Sequence, residues 1–418
     1  MNKIFTVLLA SLFAITTMAQ TNVEVITGAS YVDDVYYSFN NGTVVTTPRN
    51  NWDIAFAPDN FNVSILANNG YGVEVYTYPN GAIADWASLD TTGLSTWAPM
   101  YNSTEDLYDG AFLRNMDYEN AFDQGWGVYN MATHIIEGDS LFVIKTVGGD
   151  YKKLAIVEAN PNSTANTWSF KFANLDGSDE QVVDFGADQY KDMNYVHYSM
   201  DNNEFLNREP NSTDWQLLFT KYFDYSIPYY VSGVQINSEY VTVQQIDEVN
   251  QVDFEDYVET DFNSNLSEIG SDWKEFDMAS FTYTVEEQRV YFTKVMNETA
   301  TDSTYWKLYF TAFGGSSDGV YSFTQKNITD GTFLNELEGV ALFQLYPNPA
   351  NTILHLVTDL QTTMDVAIYD ISGKLVYNQE IKHGFNQEEI NISELKSGVY
   401  NLSISTDKGM TSQKFIKQ

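Results

Sequence analysis

The text between Asn22 and about Asn335 keeps changing character every five or six residues, and that rhythm limits the fold more than any other feature. Short Val, Tyr, Phe and Thr runs alternate with Asn-Gly, Asp-Gly, Pro-Asn and Asn-Asn breaks. Such runs suit a pleated, half-buried surface, and the breaks supply turn geometry. Val35-Tyr36-Tyr37-Ser38-Phe39 followed by Asn40-Asn41-Gly42 predicts a hairpin. Val73-Glu74-Val75-Tyr76-Thr77-Tyr78 alternates and is stopped by Pro79-Asn80-Gly81. No window of fifteen residues shows convincing apolar spacing of 3.6. The fold class is all-β.

The same region repeats itself. Asn51-Trp52-Asp53-Ile54-Ala55-Phe56 pairs with Asp214-Trp215-Gln216-Leu217-Leu218-Phe219. The run from Gly125 to His134 pairs with that from Asp272 to Phe281, so Trp126 matches Trp273, Met131 matches Met278 and His134 matches Phe281. Three strand-like runs follow in each copy: 141–145, 151–156 and 167–172, against 290–294, 305–310 and 319–324. The repeats span about 50–175 and 212–328. One continuous sheet built from two halves is the expected arrangement, because neither half has an obvious linker. Recurrence of Trp126/Trp273 and Met131/Met278 predicts packing roles. Recurrence of Lys145/Lys294 and Lys153/Lys307 predicts solvated strand faces.

The chain opens with Lys3, an apolar run from Ile4 through Ile15 and a small residue before Gln20, the pattern of a secretory signal peptide over 1–19. No stretch approaches eighteen apolar residues, so no transmembrane segment is expected. Without cysteine there are no disulfides, thiolate metal sites or N-terminal lipid anchor. Against 57 acidic residues stand 21 Lys and Arg, a formal charge of −36. That surface disfavours nucleic acid and anionic lipid as partners. The 29 Tyr, 26 Phe and 8 Trp are enough for a packed core, so disorder is not implied.

Residues 344–418 read as a separate small antiparallel sandwich of immunoglobulin-like type. They run Tyr346-Pro347-Asn348-Pro349-Ala350, then Asp370-Ile371-Ser372-Gly373-Lys374-Leu375-Val376, then Leu395-Lys396-Ser397-Gly398-Val399-Tyr400, and close on Lys414-Phe415-Ile416-Lys417. This set resembles the C-terminal sorting domain of the type IX (Por) secretion system. The resemblance implies export to the exterior or the outer-membrane surface, with the secretion machinery as partner and the function upstream.

A second resemblance lies in the first repeat. Trp52-Asp53-Ile54-Ala55-Phe56, Ala67-Asn68-Asn69-Gly70, Trp126-Gly127-Val128-Tyr129-Asn130, Leu141 to Lys145 and Gly149-Asp150-Tyr151-Lys152-Lys153-Leu154 together resemble the HmuY-like haem-binding proteins. The glycine segment matches only approximately, and the family's axial ligands do not map onto this sequence. What the resemblance implies is an all-β body over 20–340 with haem, or haemoproteins, as ligand. Haem takes one or two axial donors, often His or Met, in an apolar slot. With His355 and His383 in the tail, the candidates are His134 and His197, followed by Met193 and Met200. No catalytic residue and no other metal site is singled out: Gly-x-Ser-x-Gly, His-Glu-x-x-His and phosphate-loop patterns are missing. The expected function is non-enzymatic binding, haem being the most specific ligand. A surface adhesion or glycan-binding module without haem is the alternative, and a hydrolase with dispersed carboxylates is the third.

Overall fold

The computed structural model describes residues 20–329 and 340–418 apart from 60–61, 163–164, 225–226, 298, 300–301, 361–362, 371–373 and 407–408. The expected signal peptide and the turn at 371–373 lie outside the described residues. Among those described there are strands and short 3₁₀ turns but no α-helix. The chain divides into two compact units, one ending at Asn327 and one beginning at Ile328.

The first unit is not the single sheet expected from the repeats. It contains two lobes, each a four-stranded sheet packed against a larger one. In the first lobe, strands Glu204–Leu206, Val196–Ser199, Ile54–Phe56 and Ile65–Ala67 lie side by side. They cover a seven-stranded sheet that includes the meander Phe142–Lys145, Tyr151–Asn162 and Ala165–Asn174. In the second lobe the order is Tyr229–Ile236, Leu217–Asp224, Asp33–Ser38, Gly42–Pro48. This sheet covers a five-stranded one that includes Val290–Met296, Ser303–Phe313 and Val320–Asn327. Alternation along these short strands puts one face of each sheet into an apolar core and leaves the other for the opposite lobe.

The registers show how similar the lobes are. Val196 pairs with Phe56 and Tyr198 with Ile54 in the first; Val35 pairs with Phe219 and Tyr37 with Leu217 in the second. The same polar clamps recur. Asp53 accepts the Met200 N–H at 2.7 Å, and Gln216 accepts the Phe39 N–H at 3.1 Å. The Asn68 amide donates to the Trp52 carbonyl at 2.9 Å, and that of Asn237 donates to the Trp215 carbonyl at 3.1 Å. The correspondence therefore reaches upstream of the tryptophans, matching Val35-Tyr36-Tyr37-Ser38-Phe39 to Val196-His197-Tyr198-Ser199-Met200.

Connectivity separates the two. Strands of the first lobe come from one continuous segment, 52–206. The second is assembled from 212–327 and from the start of the chain. There, Thr21–Ile26 pairs with Val320–Asn327 and the hairpin Asp33–Ser38/Gly42–Pro48 pairs with Leu217–Asp224. Its core mixes Val25, Val35, Tyr37 and Phe39 with Trp273, Phe310 and Phe323. The chain crosses between lobes at residues 49–51 and 207–214.

Recurrence in sequence has two physical meanings here. Trp126 and Trp273 are almost completely buried and close their respective cores, the latter stacked on Phe310 at 3.7 Å. Met131 and Met278, expected to pack, are instead 63% and 73% exposed. Both sit at hairpin tips held by an Asx side chain. Asn130 Oδ1 accepts the Ala132 N–H at 2.9 Å, and Asp277 Oδ1 accepts that of Ala279 at 2.8 Å. The tip geometry is what repeats, through the capping oxygen and a left-handed residue (His134 φ 61°, Phe281 φ 57°).

Lys153 and Lys307, expected in solvent, are buried. Their ammonium groups donate to the carbonyls of Trp86 (2.8 Å) and Val252 (2.9 Å), so each pins an insertion over its large sheet. A buried ammonium is tolerated when it is hydrogen-bonded. Lys145 and Lys294 pair with Glu74 and Glu259 at partly exposed positions.

The second unit has two antiparallel sheets, of three and four strands, sharing a core of Leu354, Leu356, Val366, Ile368, Leu402, Ile404 and Phe415. The Pro-Asn-Pro-Ala segment has a structural task in it. The Ala350 N–H donates to Ile416 O at 2.8 Å and Asn348 Oδ1 accepts the Ile416 N–H at 2.9 Å, tying the start of this unit to its last strand.

Candidate ligand cavity between the lobes

The four-stranded sheets of the two lobes turn their outer faces toward each other around a partly open cavity of about 120 Å³. Trp52, Asn68, His197 and Arg208 line it from the first lobe; Asp34, Tyr36, Trp215 and Lys221 from the second. Equivalent positions meet across the pseudo-symmetric arrangement. Trp52 and His197 form an edge-to-face pair at 4.7 Å, and Trp215 and Tyr36 form its counterpart at 5.0 Å.

The crossings carry the charge. Arg49 leaves the first crossing and Arg208 the second, and both turn onto Asp34, at 3.4 Å and 2.7 Å. Asp34 also accepts the Thr220 hydroxyl at 2.5 Å. Arg49 additionally donates to the carbonyls of Tyr31 (2.8 Å) and Gly70, and Arg208 to that of Pro48 (3.1 Å). All three charged side chains are at most 7% exposed. A buried ion triad of this kind is weak support for stability but expensive to break. Gly70 marks a close approach of the lobes: a Cβ there would lie 1.9 Å from the Lys221 carbonyl oxygen.

Glu209, next to Arg208, accepts the N–H groups of Asn194 (3.0 Å) and Tyr195 (3.1 Å). Burial outweighs these bonds and the Arg208 charge, and pushes its carboxyl up to about 8. Burial, reinforced by Arg208, holds His197 well below the ordinary imidazole range, so the ring is neutral. Four buried polar atoms on the lining residues have no hydrogen-bond partner among the described residues: Trp52 Nε1, His197 Nδ1, Arg208 Nε and Trp215 Nε1. Tyr101 and Phe223, one from each lobe, stack at 4.2 Å and complete the wall.

Of the four candidate ligands named from sequence, only His197 lines this cavity. Met200 is packed into the first core, 2% exposed. Met193 is half-buried in a different surface pocket beside Tyr108 and Tyr240. His134 stands exposed at its hairpin tip, with Nδ1 2.7 Å from the Tyr129 hydroxyl. The four donors do not converge on one slot. A cavity of about 120 Å³ is also well short of the roughly 300–1,000 Å³ of drug-sized ligand pockets, so a porphyrin does not fit between the lobes as they stand. Sequence reading missed Asp34, Arg208 and Glu209. The signal was available in the likeness of Val35–Phe39 to Val196–Met200, which marks both hairpins as one repeated part facing one shared surface.

Residues 344–418 match the family described as secretion system C-terminal sorting domain. The chain thus carries a type IX sorting domain: it is exported by that system and reaches the exterior or the cell surface. No match was found among curated proteins. One solved structure is PorZ, a surface component of the type IX secretion system of Porphyromonas gingivalis. It is 11% identical, with coverage of 77% of this chain and 50% of that one and a TM-score of 0.17. The chain therefore spans about half the length of that protein. Another is the BSP domain of a biofilm-associated protein, 9% identical, with coverage of 96% and 81% and a TM-score of 0.18. At such scores neither likeness carries an argument. The resemblance of the body to haem-binding proteins rests on its sequence motifs alone.

Proposed function

We propose that residues 20–327 form a non-enzymatic binding module, delivered outside the cell by the C-terminal sorting domain, whose ligand enters the cavity between the lobes. The observation that supports this reading is the concentration of buried, incompletely partnered polar groups around one cavity built by both repeats. Interior polar groups are ordinarily satisfied, and several without partners around one cavity leave positions that a polar ligand can satisfy. A sugar unit of a surface glycan suits the lining, where aromatic rings adjoin amide, carboxylate and guanidinium groups.

Haem is the second reading. It is favoured by the HmuY-like motifs and by His197, whose Nδ1 lacks a partner. It requires the lobes to part far enough to admit a porphyrin.

Haemin titration of the chain from Gln20 to Gln418, read at the Soret band, separates the two. A defined band lost in His197→Ala supports haem. No band at micromolar haemin, together with retention on a glycan array, supports the glycan-binding module. Neither response would sink the binding proposal.

A further inference from the structure

Three candidates outside the sorting domain stand out: the exposed hairpin tips of Met131 and Met278, the buried Lys274, and the composition of the interlobe cavity. Only the third combines a bounded space with groups that call for a ligand of definite chemistry.

We infer that the cavity recognises a carboxylate, either of a small free acid or of an acidic sugar, held by Arg208 and Trp52. This deepens the reading of the body as a binding module and rests on it. The first support is the hydrogen-bond inventory. Trp52 Nε1 and Arg208 Nε are N–H groups that can only donate, each lacks an acceptor among the described residues, and their residues are 8% and 4% exposed. Arg208 Nη2 is already committed to Asp34 and Pro48, which fixes the guanidinium plane and holds the buried Nε–H in one direction. The guanidinium carbon lies 5.4 Å from the Trp52 ring centroid, so the two donors belong to one cluster. Both Glu209 oxygens and both Asp34 oxygens are already taken by protein donors. The cavity is short of acceptors, and a carboxylate supplies two.

The second support is charge. Arg208 and Lys221 line the cavity with Asp34 and Glu209, and Arg49, outside the lining, pairs with Asp34 from behind, so the wider cluster holds three cations to two carboxylates. That surplus is found in a chain whose formal charge is −36. A partly buried cationic surplus favours one bound anion, and at low local dielectric the pairing is worth more than at the surface. A guanidinium edge with a neighbouring N–H matches the planar geometry of a carboxylate. The volume admits the carboxylate and a few attached atoms, with the remainder of a sugar directed toward the Tyr101–Phe223 wall.

The test is calorimetry and thermal melting of the chain from Gln20 to Gln418, in carboxylate-free buffer, with acetate, D-glucuronate and D-glucose as probes. Saturable heat and a raised melting temperature are expected with glucuronate, and with acetate too if a free acid suffices, but not with glucose. Trp52→Phe keeps the ring and removes the donor, and weakens carboxylate binding by about tenfold or more, the value of a hydrogen bond to a charged group. Arg208→Lys keeps the charge on Asp34 but loses Nε, and weakens it similarly. If Arg208→Lys does not fold, Trp52→Phe alone decides. Glucose binding as tightly as glucuronate would overturn the carboxylate inference while leaving the binding module standing. Absence of saturable heat with both acids, or unchanged affinity in both variants, overturns it as well.

Discussion

The first lobe is made from one uninterrupted segment, whereas the second is completed only when the first thirty residues of the described chain return to it. Both have the same strand order, the same asparagine clamps and the same closing tryptophan. They therefore differ in how closure is achieved rather than in what is packed. In the first lobe the hairpin Val196–Ser199/Glu204–Leu206 pairs with Ile54–Phe56 140 residues upstream within the same segment (Val196 with Phe56); in the second the equivalent hairpin lies 180 residues from its partner (Tyr37 with Leu217), with the whole first lobe between them. Long-range closure carries a larger loop entropy and forms late. It also joins the ends of the unit, so the second lobe depends on the integrity of the whole segment. The hinge between the lobes shows the same asymmetry. Asp34 takes both crossing arginines, while the matching position in the other hairpin is Tyr195, whose hydroxyl donates to Leu107 O at 2.8 Å.

Removing residues 21–48 is the strongest way to separate the lobes. The deletion opens the second core at Val25, Val35, Tyr37 and Phe39 and leaves the first core complete. Hydrogen-exchange mass spectrometry is expected to show loss of protection over 217–327 with protection retained over 65–199. Equal loss in both would mean that the lobes fold as one cooperative unit.

Next in size is Asp34→Ala, which strands two buried guanidinium groups and is expected to cost about 3–5 kcal/mol. Tyr195→Phe, at the matching position, loses only hydroxyl bonds and is expected to cost about 1–2 kcal/mol. Urea unfolding of the two variants measures the difference. Similar losses would show that the charge asymmetry is energetically irrelevant.

The pH dependence is smaller and has a definite sign. Glu209 has a folded pKa raised to about 8 from 4.5, so its contribution is complete below the unfolded value and is lost as pH rises toward 8. His197 is depressed below 6.5, so its contribution is present above that value and is lost as pH falls through the range beneath it. Stability should therefore peak in mildly acidic solution. Glu209→Gln is expected to flatten the decline in melting temperature between pH 6 and 8.5 without altering the acid side. A parallel decline in variant and wild type would assign it to other groups.

The smallest effect is expected at the hairpin tips. Met131→Ser and Met278→Ser remove exposed side chains and should each change stability by no more than about 0.5 kcal/mol. Trp126→Ala and Trp273→Ala, which are as faithfully repeated, should cost about 3–5 kcal/mol. Thermal melts of the four variants show whether recurrence reports packing or turn shape.

Alternation and turn residues were enough to show an all-β chain, a duplicated body and a separate tail. Those features are local: residue spacing sets which face a side chain takes, and Asn, Asp and Gly set where the strand ends. The four tail motifs were equally legible because they are contiguous. Burial of Lys153 and Lys307 was not, since an ammonium meets its carbonyl only after an insertion folds over the sheet. Nor was the separation of His134, His197, Met193 and Met200, for which sequence proximity or residue type had no bearing on which face they would share. Only the tertiary structure decided that the chain's beginning closes its second lobe, and that Asp34, Arg208 and Glu209 meet in a cavity. Those positions are fixed by pairings between strands 140 (Val196 with Phe56) and 180 (Tyr37 with Leu217) residues apart, and no local spacing encodes them.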